Sequence, residues 1–217
     1  MKFFIDSADI AEIKEIASCK MLDGVTTNPT LIARSGGDFK KTIAKICALV
    51  AGPVSAEVAA TNCAKMIEEG KILAKIAPNV CIKLPMTFEG IKACNYFSSQ
   101  GIQTNMTLCF SETQAILAAK AGATFISPFV GRLDDEGADG IGLIETICTI
   151  YANYPDFKTQ ILTASVRNLN HIIMAAMAGA HVATIPGKIF KQLIFHPLTE
   201  KGLEIFEKDW ANSGQKI

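Results

Sequence analysis

In the run Val80-Cys81-Ile82-Lys83-Leu84-Pro85 a single lysine interrupts an apolar segment that ends at a proline. Such a run fits a strand of a parallel sheet covered on both faces. Lysine is almost never fully buried without a partner, so Lys83 needs a reason. One is structural: the side chain snorkels outward or pairs with a buried carboxylate. The other is chemical: a desolvated amine, unprotonated often enough to attack a carbonyl and form a Schiff base. These six residues do not separate the two, so the elements that position Lys83 must.

Those elements read as strand, loop and helix, repeated. Strands are predicted at Lys2–Asp6, Gly24–Asn28, Val54–Val58, Val80–Pro85, Gln103–Leu108, Ala123–Phe129, Gln160–Ser165 and His181–Pro186. Between them, helices are predicted at Ala8–Ser18, Asp38–Ala51, Thr61–Ile76, Phe88–Ser99, Gly140–Tyr151 and Leu169–Ala178, with a short one from Lys188. Phe39, Ile43, Ile46 and Val50 share one helical face. Ser111 with Gln114 makes a capping box for the helix after the fifth strand, and Asn168 is a cap for the helix after the seventh. Eight alternations predict a closed parallel (β/α)8 barrel, near the small end of its size range. An open doubly wound sheet is disfavoured, because no Gly-x-Gly-x-x-Gly follows the first strand. Gly137-Ala138-Asp139-Gly140-Ile141-Gly142 has the wrong spacing for a phosphate loop and reads as part of a polar loop. A last helix, about residues 197–213, adds an apolar face of Leu203, Phe206 and Trp210, fit to cover a barrel end or a neighbouring subunit.

In such barrels reactive groups gather at the C-terminal strand ends. Here those ends carry Asp6, Thr26, Asn28, Glu57, Lys83, Asn105, Thr107, Ser127, Ser165 and Thr184. Each alone has an ordinary explanation: Asp6 as a helix cap, Asn28 before Pro29 as turn chemistry, Glu57 as a counter-charge for Lys83. Together they place polar residues where strands should be most apolar, which is costly unless they do chemistry. Arg132 and Arg167 follow the sixth and seventh strands. Two guanidinium groups beside helix N-terminal amides suit a phosphate.

Composition narrows the rest. Across 217 residues, 49% hydrophobic and 19% charged describe a globular chain expected to form one domain over residues 1–217. Lys plus Arg balances Asp plus Glu at 21 each, so no net field draws the molecule to nucleic acid or anionic lipid. No apolar stretch is long enough to span a membrane, and the opening residues lack a signal-peptide core. Seven cysteines (19, 47, 63, 81, 94, 109 and 148) form no CxxC pair and read as core thiols of a reducing cytoplasm. His171, His181 and His196 lack zinc-site spacing, so no metal is expected.

Asp6, Gly24-Val25-Thr26-Thr27-Asn28-Pro29-Thr30, Ile82-Lys83-Leu84-Pro85 and Ala164-Ser165-Val166-Arg167, spread over essentially the whole chain, resemble the small-type transaldolase family. Asn105-Met106-Thr107 is similar to the same pattern. The family also includes fructose-6-phosphate aldolases, which cleave the same ketose without transferring the fragment. Glu57 stands where the aldolases carry glutamine, and Phe129 where they carry tyrosine.

The resemblance implies a transaldolase of the pentose phosphate pathway with no cofactor and no metal. It would move a dihydroxyacetone unit from sedoheptulose 7-phosphate or fructose 6-phosphate to glyceraldehyde 3-phosphate or erythrose 4-phosphate. Lys83 would form the Schiff base, Glu57 with a water positioned by Thr107 would shuttle protons, and Asp6 would deprotonate the C4 hydroxyl. Asn28 and Asn105 would hold the fragment's hydroxyls, with Thr26 and Ser127 lining the site. Arg132, Ser165 and Arg167 would grip the phosphate, and Phe129, lacking a hydroxyl, would not help water release the fragment. The resemblance also implies a ring-based homo-oligomer, such as a decamer of two pentamers. Two alternatives stand beside it: an aldolase releasing dihydroxyacetone, and a non-catalytic barrel that binds sugar phosphates.

Overall fold

Alternation along each strand divides the interior of this protein in two. The computed structural model describes residues 1–216; Ile217, the last residue of the expected domain span, lies outside them. Strands β1 (Lys2–Asp6), β2 (Gly24–Thr26), β3 (Val54–Glu57), β4 (Val80–Pro85), β5 (Thr104–Cys109), β6 (Phe125–Pro128), β7 (Gln160–Thr163) and β8 (Val182–Ile185) pair in sequence order and in parallel, and β8 closes on β1. The result is the expected closed (β/α)8 barrel. Side chains facing the helices form the larger core, with Ile5, Val25, Ile82, Leu84, Met106, Ile126 and Ile161 among its buried members. Those facing the barrel axis form a second, smaller cluster of Phe4, Cys81, Phe125, Leu162, Ala164 and Val182. Successive strand residues point to opposite faces, so the axis-facing residue two positions beyond Phe4 is Asp6, beyond Cys81 is Lys83, beyond Phe125 is Ser127 and beyond Val182 is Thr184. An apolar floor thus carries a polar layer directly above it.

The floor depends on one glycine. Phe4 packs edge-on against Phe125, with ring centroids 5.7 Å apart. A Cβ at Gly24 would lie 2.6 Å from the Phe4 ring and 2.7 Å from the Pro53 carbonyl oxygen.

Eleven helices surround the barrel within the described residues. α1 (Ile10–Ala17), α3 (Phe39–Leu49), α4 (Cys63–Ala74), α5 (Phe88–Ser99), α6 (Glu112–Lys120), α8 (Gly140–Ala152), α9 (Leu169–Ala178) and α10 (Gly187–Gln192) lie where sequence periodicity puts them, within a few residues. Two short helices were not foreseen. β2 stops at Thr26, and Asn28-Pro29 opens α2 (Pro29–Ser35): the Asn28 Oδ1 accepts from the Leu31 N–H at 2.9 Å, and Pro29 sits in the first turn, where its missing N–H costs nothing. The polar loop after β6 contains α7 (Val130–Asp135).

The caps of α6 and α9 share a variation. Ser111 accepts from the Gln114 N–H, but the Gln114 side chain reaches back to the N–H of Phe110 at 2.7 Å, one residue before the cap, so the expected reciprocal capping box is displaced by one. Asn168 caps α9 as expected, and His171 reaches back to the N–H of Arg167 in the same way. The last helix, α11 (Pro197–Ser213), covers no barrel end: none of its residues is buried, and Leu198, Leu203, Ile205, Phe206 and Trp210 are exposed. No helix of the described residues is long and apolar enough to cross a membrane.

Gly24→Ala tests the floor. Both the ring and the backbone oxygen would crowd the new methyl, so unfolding in urea should come at a lower midpoint, with a loss of about 1–3 kcal/mol at unchanged m.

Candidate active site

The polar layer opens at the C-terminal end of the strands into a cavity of about 490 Å³. Lys83 lies at its base, only 5% exposed. Its Nζ donates to the Thr27 carbonyl at 2.9 Å and lies 3.0 Å from Glu57 Oε2 as an ion pair. Sheet register brings these groups together, because Glu57 on β3 pairs directly with Lys83 on β4. The counter-charge reading of Glu57 is therefore geometrically correct, and it does not exclude chemistry: a carboxylate 3.0 Å from an amine can also exchange a proton with it.

Across the cavity, Asp6 ends β1 opposite Thr26 in register. The Thr26 hydroxyl donates to Asp6 Oδ1 at 2.7 Å and lies 2.6 Å from the Thr184 hydroxyl, so a short chain of hydroxyls ends on the carboxylate. Asp6 is no helix cap; Asp9 caps α1. Burial raises the Asp6 pKa above the usual 3.8, overcoming the opposing pull of Lys83 and of the Thr26 hydrogen bond, while Glu57 adds to the rise.

Thr107, on β5, lines the cavity, and its buried hydroxyl has no hydrogen-bond partner in the protein. Leu108 beside it holds φ at 60°, where the β5–β6 register shifts. Asn105 departs from expectation. It is fully buried, donates to Ser55 Oγ at 3.0 Å and accepts from Ser127 Oγ at 2.6 Å, and does not line the cavity. Its reach into the site runs through Ser127, which does line it.

The far wall carries the cations. Arg132 on α7 stacks over the Phe129 ring at 4.8 Å, and that ring packs edge-on against Phe110. Arg167 bonds Asp135 through Nη2 at 3.0 Å, a half-exposed pair. Between them Ser165 adopts φ of 60°, a left-handed conformation uncommon for serine. The Arg167 N–H is used by His171, so it is no free amide for an anion.

Of the residues expected at the site, Asp6, Thr26, Asn28, Glu57, Lys83, Thr107, Ser127, Phe129, Arg132, Ser165 and Arg167 all line this one cavity. Sequence reading missed Leu31 and Arg34, which α2 brings to the same wall, and Leu108. The only signal for the first two was the Asn28-Pro29 helix start. No group of three or more His, Cys, Asp or Glu placed to hold a metal occurs among the described residues. All seven cysteines are free, and burial holds the Cys109 thiol up to about 12 and Cys47 up to about 11.

A closed parallel barrel with a buried lysine, two carboxylates and an arginine wall at its C-terminal mouth has its reactive groups where barrels of this fold carry their active sites. Sequence comparison then gives the family. Residues 3–217 match the model for transaldolase/fructose-6-phosphate aldolase, and the chain belongs to that family. Proteins described as probable transaldolases from Parvibaculum lavamentivorans (58% identical) and Bartonella tribocorum (57%) align over 217 residues, 100% of both chains in each case. One from Brucella anthropi, under the same description, is 58% identical over the same span.

Asp6 gives a stability test with a definite sign. A folded-state pKa raised above 3.8 means that the native state binds more protons than the unfolded one, so stability falls as pH rises from that value through the folded pKa. Asp6→Asn removes the penalty. It should melt above wild type at pH 7, and the difference should disappear below about pH 4.

Proposed function

We propose that the protein is a transaldolase that moves a dihydroxyacetone unit between sugar phosphates through a Schiff base on Lys83. The observation that carries this reading is the buried Lys83 within bonding distance of Glu57 and facing Asp6 across one cavity. Lys83 adds to the C2 carbonyl of the ketose phosphate as a free amine. Glu57, with a water held at the Thr107 hydroxyl, moves the protons that turn the carbinolamine into an iminium and release water. Asp6 takes the proton of the C4 hydroxyl. The C3–C4 electron pair then flows into the iminium, leaving an enamine on Lys83 and a free aldehyde phosphate. A second aldehyde phosphate is attacked by the enamine, Asp6 returns its proton to the new hydroxyl, and hydrolysis of the iminium frees the product.

The raised Asp6 pKa suits this role, since a stronger base in the polar layer accepts the hydroxyl proton more readily. Asn28 keeps its side-chain amide donor for a fragment hydroxyl while its oxygen caps α2. Ser127, oriented by Asn105, serves another. Arg132, Ser165 and Arg167 receive the phosphate. The donors are sedoheptulose 7-phosphate or fructose 6-phosphate, as in the pentose phosphate pathway, and the free thiols suit a cytoplasmic setting. The exposed apolar face of α11 supports a homo-oligomer in which a neighbouring subunit covers it.

The aldolase alternative turns on Phe129. Its ring lies in the cavity wall, held by Phe110 and Arg132, and offers no hydroxyl to deliver a proton to the enamine. Wild type should therefore transfer the fragment to erythrose 4-phosphate or glyceraldehyde 3-phosphate far faster than it releases dihydroxyacetone from fructose 6-phosphate alone. Phe129→Tyr should raise the ratio of release to transfer at least about tenfold. A wild-type protein that releases dihydroxyacetone as fast as it transfers it is an aldolase instead.

A further inference from the structure

The wall that receives the phosphate is tied together by a side chain that the reaction does not use. We propose that His171 is a positioning residue for phosphate binding, holding the Arg167 backbone and the helix of Arg132 in one fixed arrangement; the proposal rests on the sugar-phosphate reading of the site.

His171 is 5% exposed, and both of its ring nitrogens are engaged. Nδ1 accepts the Arg167 N–H at 3.3 Å, and Nε2 lies 2.8 Å from Asp134 Oδ2. A nitrogen that accepts carries no proton, so in the neutral ring the hydrogen sits on Nε2, the nitrogen that faces Asp134. Asp134 Oδ1 in turn accepts the Gly140 N–H at 3.1 Å, at the start of α8. One imidazole thus joins α9, the loop after β7, α7 and α8.

The arginines need this support because their own contacts are weak. Arg167 is held by a half-exposed ion pair with Asp135, and such pairs contribute little. Arg132 has the Phe129 ring beneath it. Where the two guanidinium groups start from is therefore set by their backbones. These are packed without slack: Gly131 donates to the Ser165 carbonyl at 3.1 Å, and a Cβ at Gly131 would collide with that oxygen and with the Arg167 side chain. Ser165 between them sits at a φ of 60°, a conformation that persists only when its surroundings hold it. His171 supplies that hold from behind the wall.

The test compares wild type with His171→Leu, His171→Asn and His171→Gln. Binding of inorganic phosphate is measured by calorimetry, and KM for erythrose 4-phosphate against erythrose at saturating fructose 6-phosphate. His171→Leu should weaken phosphate binding and raise KM for the phosphorylated acceptor about tenfold, the effect of one misplaced charge-assisted hydrogen bond. The KM for erythrose and kcat should change by less than about twofold. Asn carries an oxygen at the position of Nδ1 and should recover the part of the loss that runs through the Arg167 backbone; Gln reaches Asp134 instead and should recover less. A folded His171→Leu that binds phosphate like wild type, or that loses both acceptors equally, overturns the assignment. Should His171→Leu not fold, Asn binding phosphate more tightly than Gln supports the proposal, and equality or the reverse order overturns it. A wild-type protein that binds no phosphate and does not distinguish the two acceptors overturns the sugar-phosphate reading itself, and this assignment with it.

Discussion

An ammonium group inside a barrel must be compensated before anything else can be built. Lys83 and Glu57 face each other at 3.0 Å, with side chains 6% and 15% exposed. Removing two such charges from water costs several kcal/mol per ion, and attraction offsets that only when further hydrogen bonds help. The Thr27 carbonyl supplies one at 2.9 Å. Pairing of adjacent strands brings the three together, since Lys83 on β4 and Glu57 on β3 are register partners and Thr27 follows β2, which pairs with β3. An open sheet would leave the pair to solvent, where an exposed ion pair is weak and the amine fully hydrated.

The same burial serves the opposite carboxylate. Phe4, Cys81, Phe125, Leu162 and Val182 fill the barrel below the polar layer, so the cavity floor is apolar. Desolvation then makes Asp6 a stronger base although Lys83 pulls the other way. Floor and reactive layer are thus one construction, made by the two-residue period of the strands. The arginine wall is built differently. Its groups lie on loops and short helices outside the strands, so their order comes from side-chain to backbone bonds such as that of His171 to Arg167.

This difference decides what can be read from sequence. Strand ends are legible: period-two alternation places Asp6 above Phe4 and Lys83 above Cys81, and the barrel follows from eight alternations of strand and helix. Two short helices were illegible. Asn28-Pro29 signals a turn and a helix start equally, and the six-residue α7 is too short to display a periodicity. Asn105 also misled, because its position at a strand end says nothing about neighbouring serines; Ser55 and Ser127 take up its amide within the barrel. Nor could composition tell whether α11 covers the barrel. Its apolar residues were visible, and their exposure was not.

The central claim is that Lys83 bonds covalently to the substrate. Borohydride reduction in the presence of fructose 6-phosphate, followed by peptide mapping, tests it most directly. The account predicts one stable adduct, on the peptide that contains Lys83, absent from Lys83→Met along with all transfer activity. An adduct on another lysine, or turnover that continues in Lys83→Met, would contradict it.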